Sequence, residues 1–346
     1  MNDLLRSYGR GLTGLFVGLT AIWLAVLVIV PQAMMLEQSL WSKERGSEIS
    51  LRIDRAYTEL ETARFDLGGD DLTPEKKAEL EQAIGRLEAE IAELEAQEQD
   101  PPKVYGLQNY TKMSGLHFNI FVKTIAYAAL VTLLALVVCY PIAYAVAHLS
   151  TPRKAALLLL GLTIPYAINE LLRVYAWLMI LDYQGVINSF LAWLGFVSFE
   201  AKSWIPFLEY SGSVFVAMIY AYILFMVFPI YNTLETLDRN QIEAAKDLGG
   251  SIWLTHRRVI IPHAKPGIAV GCIMTFMLSA GSYAVPQIMT RGKSGDWFSQ
   301  LIYRQFFESF NWNVGAAYSF TLLIACIVFI FLMMTLFKVG IRDIAK

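Results

Sequence analysis

The sequence predicts an all-α membrane protein of six transmembrane helices, with an antiparallel helical hairpin standing outside the membrane between the first and the second. Three observations predict it. Of 346 residues, 56% are hydrophobic and 17% charged, too apolar a balance for an ordinary soluble fold. That hydrophobicity falls into six blocks, each about as long as the ~20 residues a bilayer-crossing helix needs. The charge, by contrast, is concentrated in one polar stretch with a heptad-like apolar seam.

The first block, residues 11–30, follows Arg6 and Arg10 and has no small-residue cleavage site. It reads as a retained anchor with the N-terminus in the cytoplasm, and residues 1–36 make up this first part of the chain. Residues 37–112 are then external. Within them, residues 41–100 carry seventeen Asp and Glu against eight Lys and Arg, a net charge of about −9. Ile49, Ile53, Ala56, Leu60, Ala63 and Leu67 recur at alternating spacings of four and three, and Leu80, Ile84, Leu87, Ile91 and Leu94 repeat the pattern. Between the two runs Gly68 and Gly69 suit a helix end, while Thr73 and Pro74 suit a helix start. Arms of about twenty residues would project roughly 30 Å.

Residues 113–346 hold the remaining blocks, at 118–147, 155–181, 211–231, 267–289 and 316–337. Six crossings from a cytoplasmic start return the C-terminus to the cytoplasm. The basic residues agree: Arg153 and Lys154 follow the second block, Arg239, Lys246, Arg257, Arg258 and Lys265 the fourth, and Lys338, Arg342 and Lys346 the last. Cys139, Cys272 and Cys326 lie inside apolar blocks without metal or redox spacing and read as small buried hydrophobes.

One cytoplasmic segment stands apart. Residues 243–262 read EAAKDLGGSIWLTHRRVIIP, a helix, a turn and a second helix. The first helix is expected to end at Gly249 and Gly250, which can take a left-handed cap, with Gly249 permitting the turn, and Pro262 is expected to end the second short helix and redirect the chain into the fifth block. Ala244 and Ala245 are small enough for close approach to a partner groove, and Glu243 and Asp247 can make charge-assisted bonds across it. An interfacial helix without a partner would explain the basic face but not the glycines and the proline together. His256 and His263, seven apart, read as surface or interface residues rather than metal ligands. No Gly-rich loop ending in Lys followed by Ser or Thr occurs, so a nucleotide's phosphates would have no backbone cradle on this chain.

This segment resembles the EAA loop of ABC importer permeases, in which Glu-Ala-Ala is followed after three residues by Gly, and after nine more by a β-branched residue, a spacer, an aliphatic residue and Pro. Glu243, Ala244, Ala245, Gly249, Val259, Ile261 and Pro262 occupy those positions. YPIAYAVAHLS at 140–150 and IPYAINELLRVYAW at 164–177 resemble the spermidine/putrescine-permease-like branch, the latter through Pro165, Arg173, Tyr175, Ala176 and Trp177. Gly185, Asn188, Gly281, Pro286 and LIYRQFFESFNWNVGAA from Leu301 extend the likeness to most of the chain apart from the hairpin. The resemblance implies a type I importer fold whose cytoplasmic loop at 233–265 couples to ATPases. It implies a transport subunit rather than an enzyme, with no catalytic residue, metal or cofactor of its own. The implied partners are two ATP-binding subunits holding ATP and Mg, a second permease subunit, related or identical, and a periplasmic solute-binding protein. The setting is the lipid bilayer of a bacterial inner membrane, with no nucleic acid. The implied cargo is a small solute, a polyamine or a related cationic or organic molecule. The hairpin departs from the usual pattern, as does Asn169 with Glu170, where members generally carry neutral residues.

Charges inside a span are costly and face a cavity or one another. Glu170 and Arg173, three apart, fit a local ion pair. They equally fit a translocation lining in which Glu170 neutralises a cationic solute and Tyr166, Asn169 and Trp177 supply hydrogen-bonding or cation–π surface. Counting along a straight helix from Lys154 puts Glu170 about 24 Å in, with Ser279, Ser282 and Tyr283 at comparable depth on the fifth block. Lys123 fits a snorkelling residue at the outer end of the second block. The acidic hairpin fits a solvated surface, or a contact for a binding protein or cationic solute. Two other classes stay open: an ion-coupled secondary transporter, which predicts paired repeats with broken helices, and a membrane receptor or scaffold that uses the coiled coil as a ligand arm.

Overall fold

Apolar runs become helices because a bilayer offers the backbone no hydrogen-bond partner but itself. The computed structural model describes residues 2–43, 48–67, 74–97, 103–111, 113–149, 151–198, 203–290 and 297–340. Among them, Gly11–Ser39, Gly115–His148, Ser211–Glu235, Ile252–Gly281 and Trp312–Phe337 are long and apolar enough to cross a membrane. Pro152–Ala167 and Glu170–Trp193, bent by 96° at their junction, supply a sixth if taken as one span. The chain divides into two units: Met1–Leu60, Gly85–Ser114 and Ile302–Thr321, and Glu61–Ile84, Gly115–Leu301 and Leu322–Lys346.

In the first unit, α1 (Asn2–Leu24) runs through a π-helical turn, Ala25–Ile29, into α2 (Val30–Ser39), so this helix outlasts the expected 11–30. The π turn explains how Pro31 is carried without a break. Proline has no N–H and its ring presses on the carbonyl four residues back, and a widened turn relieves both. Two short strands, β1 (Trp41–Lys43) and β2 (Lys103–Tyr105), pair antiparallel with Trp41 opposite Tyr105. They bracket two long helices, α3 (Glu48–Leu67) and α4 (Pro74–Gln97), and α5 (Gln108–Thr111) follows.

A clasp at the strands fixes this root. Asn109 Nδ2 donates to the carbonyls of Ser39 and Trp41, each at 2.9 Å. Asn313 Nδ2 donates to Gln38 O at 2.9 Å and to the same Trp41 O at 2.8 Å. Lys103 Nζ stands 4.3 Å over the buried Trp41 ring. Tyr105 donates to Glu37 at 3.1 Å, a bond that holds its hydroxyl above the usual tyrosine pKa range. None of these partners is near in sequence.

The heptad seam forms two helices, as predicted, and the turn at Gly68, Gly69 and Thr73 lies outside the described residues. Ile53, Ala56, Leu60, Ile91 and Leu94 are buried, while Ala63, Leu67, Leu80, Ile84 and Leu87 are only half-buried. Arg52 pairs with Glu90 at 3.2 Å and Tyr57 donates to Glu95 at 2.8 Å. Both pairs are 38 residues apart, whereas a straight antiparallel pair keeps the sum of its residue numbers constant. The bonds therefore mark a crossing near Ile53 and Ile91 rather than a zipper along both arms.

In the second unit, α6 (Gly115–Tyr144) and a π turn, Ala145–Leu149, lead to α7 (Pro152–Thr163), a 3₁₀ turn at Ile164–Ala167, α8 (Glu170–Leu181) and α9 (Val186–Trp193). Then come α10 (Ser211–Glu235), α11 (Arg239–Asp247), α12 (Ile252–Thr255), a π turn at His256–Ile260, α13 (Ile261–Gly281) and α14 (Ala284–Met289). Helices α15 (Phe298–Phe307) and α16 (Trp312–Phe337) close the order. Helices α6, α10 and α13 form the centre. Ala135, Cys139, Met226, Ile230, Ala264, Ile268 and Cys272 are buried in one cluster there. All three cysteines are free and buried, as their apolar setting predicts. Gly267 and Gly271 let α13 close on α10: a Cβ at Gly267 would lie 2.2 Å from Pro229 O, and one at Gly271 2.8 Å from Met226 Sδ. This is the small-residue contact by which membrane helices gain van der Waals packing.

Three expectations need correction. The third block, 155–181, is not one straight helix. Ile168 is extended at φ −87° and ψ 139°, and the chain turns there, so the depth of 24 Å counted along a straight helix does not hold. The fifth block ends at Gly281, not 289, with Ser282 extended before α14 begins. Pro262 does not end a helix either: the helical path runs on from Ile252 to Gly281. The π turn just before Pro262 does what the one before Pro31 does, widening the ladder so that the helix continues.

Candidate functional site

The helix-turn-helix element that holds residues 243–262 is built locally. Asp238 caps α11 by accepting from Asn240 N at 3.0 Å, a cap worth about 1 kcal/mol. Of α11 only Ile242 is buried, in the central cluster with Ile260, Leu234 and Leu237. Glu243, Ala244 and Asp247 are exposed and Ala245 is half-buried. The helix ends in a paired-bond cap: Gly249 N donates to Lys246 O at 2.8 Å and Gly250 N to Ala245 O at 3.0 Å, with Gly249 at φ 79°. The helix ends at Gly249 and Gly250, where the sequence expects it. A Cβ at Gly250 would stand 2.5 Å from Ala245 O, so Gly250 is required by space and Gly249 by backbone angle. Ser251 then caps α12, its Oγ accepting from Leu254 N at 3.3 Å. This geometry presents Leu248, Ile252 and Trp253, exposed to 89%, 77% and 70%. Large apolar groups that exposed, close together in sequence around one turn, suit a contact with a partner.

The second group lies at the bend. Pro165 sits in the 3₁₀ turn, and Asn169 caps α8, its Oδ1 accepting from Leu171 N at 2.8 Å. Asn169 thus fixes the bend through Oδ1 and remains exposed. Tyr166 donates to Ala221 O at 2.6 Å and anchors the bend to α10. Arg173 stacks on the Tyr166 ring with its guanidinium carbon 4.0 Å from the centroid. It is buried, and its Nε and Nη1 find no partner among the described residues. The ion pair with Glu170 is therefore not formed; Glu170 is exposed in the first turn of α8, where a helix N-terminus favours a negative charge. Trp177 packs edge-on to Tyr220, ring centroids 5.5 Å apart.

On α10, Tyr222 is buried one residue beyond Ala221, whose carbonyl Tyr166 holds. Ser282 O accepts from Ser299 at 2.6 Å. Ser279 and Thr275 are fully buried on α13, one turn apart, and neither hydroxyl has a partner among the described residues. Tyr283 is half-buried ahead of α14. The structure thus brings Tyr166 and Arg173 together at the bend, held against α10, with Glu170 exposed at the start of α8. Lys123 lies 5.5 Å from the centre of the Tyr127 ring.

A bundle of membrane-crossing helices with polar groups at a helix break, and a helix pair with an exposed apolar tip, suits a transport permease. The chain belongs to the family of binding-protein-dependent transport system inner membrane components, whose model matches residues 118–345. It is 35% identical over 223 residues to the spermidine/putrescine transport system permease protein PotB of Escherichia coli (strain K12), covering 64% of this chain and 78% of that one. To the inner membrane ABC transporter permease protein YdcU of the same organism it is 28% identical over 210 residues, 59% of this chain and 66% of that one. In fold it is similar to a bacterial ABC transporter involved in the import of the acidic polysaccharide alginate, with a TM-score of 0.53 and 15% identity over 68% of this chain and 84% of that one. A second structure, with an alginate pentasaccharide-bound periplasmic protein, gives 0.56 and 16% over 68% and 85%. The protein is the permease subunit of an ABC importer, a multi-pass inner-membrane transport protein and not an enzyme. The helix breaks at Ile168 and Ser282 thus belong to an importer permease and do not mark a secondary transporter.

Proposed function

We propose that this permease carries a small amine-bearing solute, polyamines first among them, handed over by a periplasmic binding protein and driven by two ATP-binding subunits. A second permease subunit completes the pathway. The observation that carries the coupling part is the exposed Leu248, Ile252 and Trp253 patch on a turn fixed by Gly249 and Gly250. Glu243 and Asp247 beside it offer carboxylates to basic groups of an ATPase groove. ATP and Mg bind the partner subunits, whose closure moves this element and switches the bundle between inward-open and outward-open forms. Both termini and the loop at 233–265 face the cytoplasm, and residues 37–112, with α3 and α4 as a hairpin, face outward. There the acidic surface meets the binding protein or the cationic solute, an attraction that salt screens. What supports the polyamine class is the likeness to PotB and the exposed Glu170 beside the aromatic groups Tyr166 and Trp177 at the helix break.

The test is uptake of labelled spermidine and putrescine by proteoliposomes holding this chain, its second permease subunit, the ATPase and the binding protein. ATP-dependent uptake is expected, with KM for spermidine raised several-fold in Glu170→Gln and kcat little changed. Uptake that follows an ion gradient and ignores ATP overturns the reading. An unchanged KM in Glu170→Gln removes Glu170 from the pathway.

A further inference from the structure

The two histidines of the cytoplasmic element are not idle surface groups. His256 Nδ1 meets the Tyr140 hydroxyl of α6 at 2.8 Å, and the Tyr144 ring lies edge-on to the same imidazole, centroids 4.6 Å apart. His263 Nε2 reaches Thr233 O and Thr236 Oγ1, each at 3.0 Å. Thr233 O can only accept, so Nε2 carries the proton. Thr236 Oγ1 itself donates to Thr233 O at 2.8 Å and is free to accept from Nε2. His256 is thus tied to the end of α6 and His263 to the end of α10.

Seven residues of uninterrupted α-helix would bring both rings to nearly one face. The π turn at His256–Ile260 puts an extra residue in the ladder and rotates the helix beyond it. That rotation lets one rod engage two different helices. The rod is also continuous from Ile252, beside the exposed apolar tip, to Gly281 near Ser282.

We propose that His256 and His263 are positioning residues that pass movement of the 243–262 element to α6 and α10 respectively, so that both helices move with each ATPase cycle. The proposal rests on the ATP-coupled reading above. Neither ring touches solute; each acts through the helix it holds.

Asparagine places its amide near the Nδ1 position and glutamine near Nε2, which gives opposite rescue patterns at the two sites. In proteoliposomes, spermidine taken up per ATP hydrolysed is expected to fall about fivefold in Tyr140→Phe and His256→Gln, the effect of one hydrogen bond, and to stay near wild type in His256→Asn. At position 263 the order reverses, with His263→Gln near wild type and His263→Asn reduced. Co-purified ATPase is expected unchanged in every variant, so a folding defect does not enter the ratio. Equal behaviour of Asn and Gln at each site, or a normal ratio in Tyr140→Phe, overturns the proposal. Should the wild type take up no spermidine, the solute class falls instead. The clasp is then read from ATP-driven change in labelling of Ser279→Cys by a thiol reagent, expected in wild type, His256→Asn and His263→Gln and lost in Tyr140→Phe. Labelling change retained in Tyr140→Phe overturns it.

Discussion

Gly250→Val is expected to leave the permease inserted and folded while ATP-driven uptake falls by about tenfold or more, since ~1.4 kcal/mol of misplaced geometry already costs a factor of ten. The reason is steric. The position of its Cβ is 2.5 Å from Ala245 O and 3.3 Å from Thr255 Oγ1, so a side chain there opens the cap that ends α11 and displaces Leu248, Ile252 and Trp253 relative to one another. Gly249 fails by a different route. Its φ of 79° costs a β-branched residue ~1–2 kcal/mol or more, whereas asparagine visits that region readily. Gly249→Asn is therefore expected to couple nearly normally and Gly249→Val poorly. The measurement is uptake and ATP hydrolysis on the same vesicles. Both activities at wild-type level in Gly250→Val would remove the cap from the mechanism.

Gly267→Leu is expected to abolish assembly rather than coupling. Its Cβ position is 2.2 Å from both Pro229 O and Thr233 Oγ1. Overpacking against side chains costs ~1–3 kcal/mol, and here one opposing atom is backbone that cannot rotate away. Helix α13 would then stand off from α10, opening the cluster of Met226, Ile230, Ala264 and Ile268. Little monodisperse protein should survive detergent extraction. Gly281→Ala is the control: nothing lies within 4 Å of a Cβ there, and normal extraction is expected. A Gly267→Leu variant that melts with the wild type contradicts the close-packed role.

Much of the fold was legible in the sequence, and the features that were hidden are of one kind. Hydropathy found the six apolar blocks because burial in lipid is a property of composition over a window. It could not find the bend at Ile168, because mean hydropathy over the window stays high while the backbone turns, although Pro165 and the capping Asn169 were the local signs. The EAA-like spacing located the helix-turn-helix element and its break at Gly249 and Gly250. That Gly250 is required by its closeness to Ala245 O, and not by a backbone angle, was hidden from the sequence. Pro262 was misread as a stop because proline's effect depends on the turn before it, and a π turn has no signature in spacing. Arg173 and Glu170 at an interval of three fit an ion pair on paper, yet the Tyr166 ring, brought back by the bend, takes the guanidinium instead. The clasp of Asn109 and Asn313 on Trp41 joins residues 68 and 272 apart, beyond any pattern readable along the chain.

The central claim, that the tip formed by Leu248, Ile252 and Trp253 is where the ATPase docks, is tested most directly by capture of the ATPase on the tagged permease, co-expressed with its partner subunits. The wild-type chain is expected to retain the ATPase through purification, and Trp253→Asp to lose it while still inserting and extracting normally. A wild-type permease that brings down no ATPase, or a Trp253→Asp variant that holds it as firmly as before, would contradict the account.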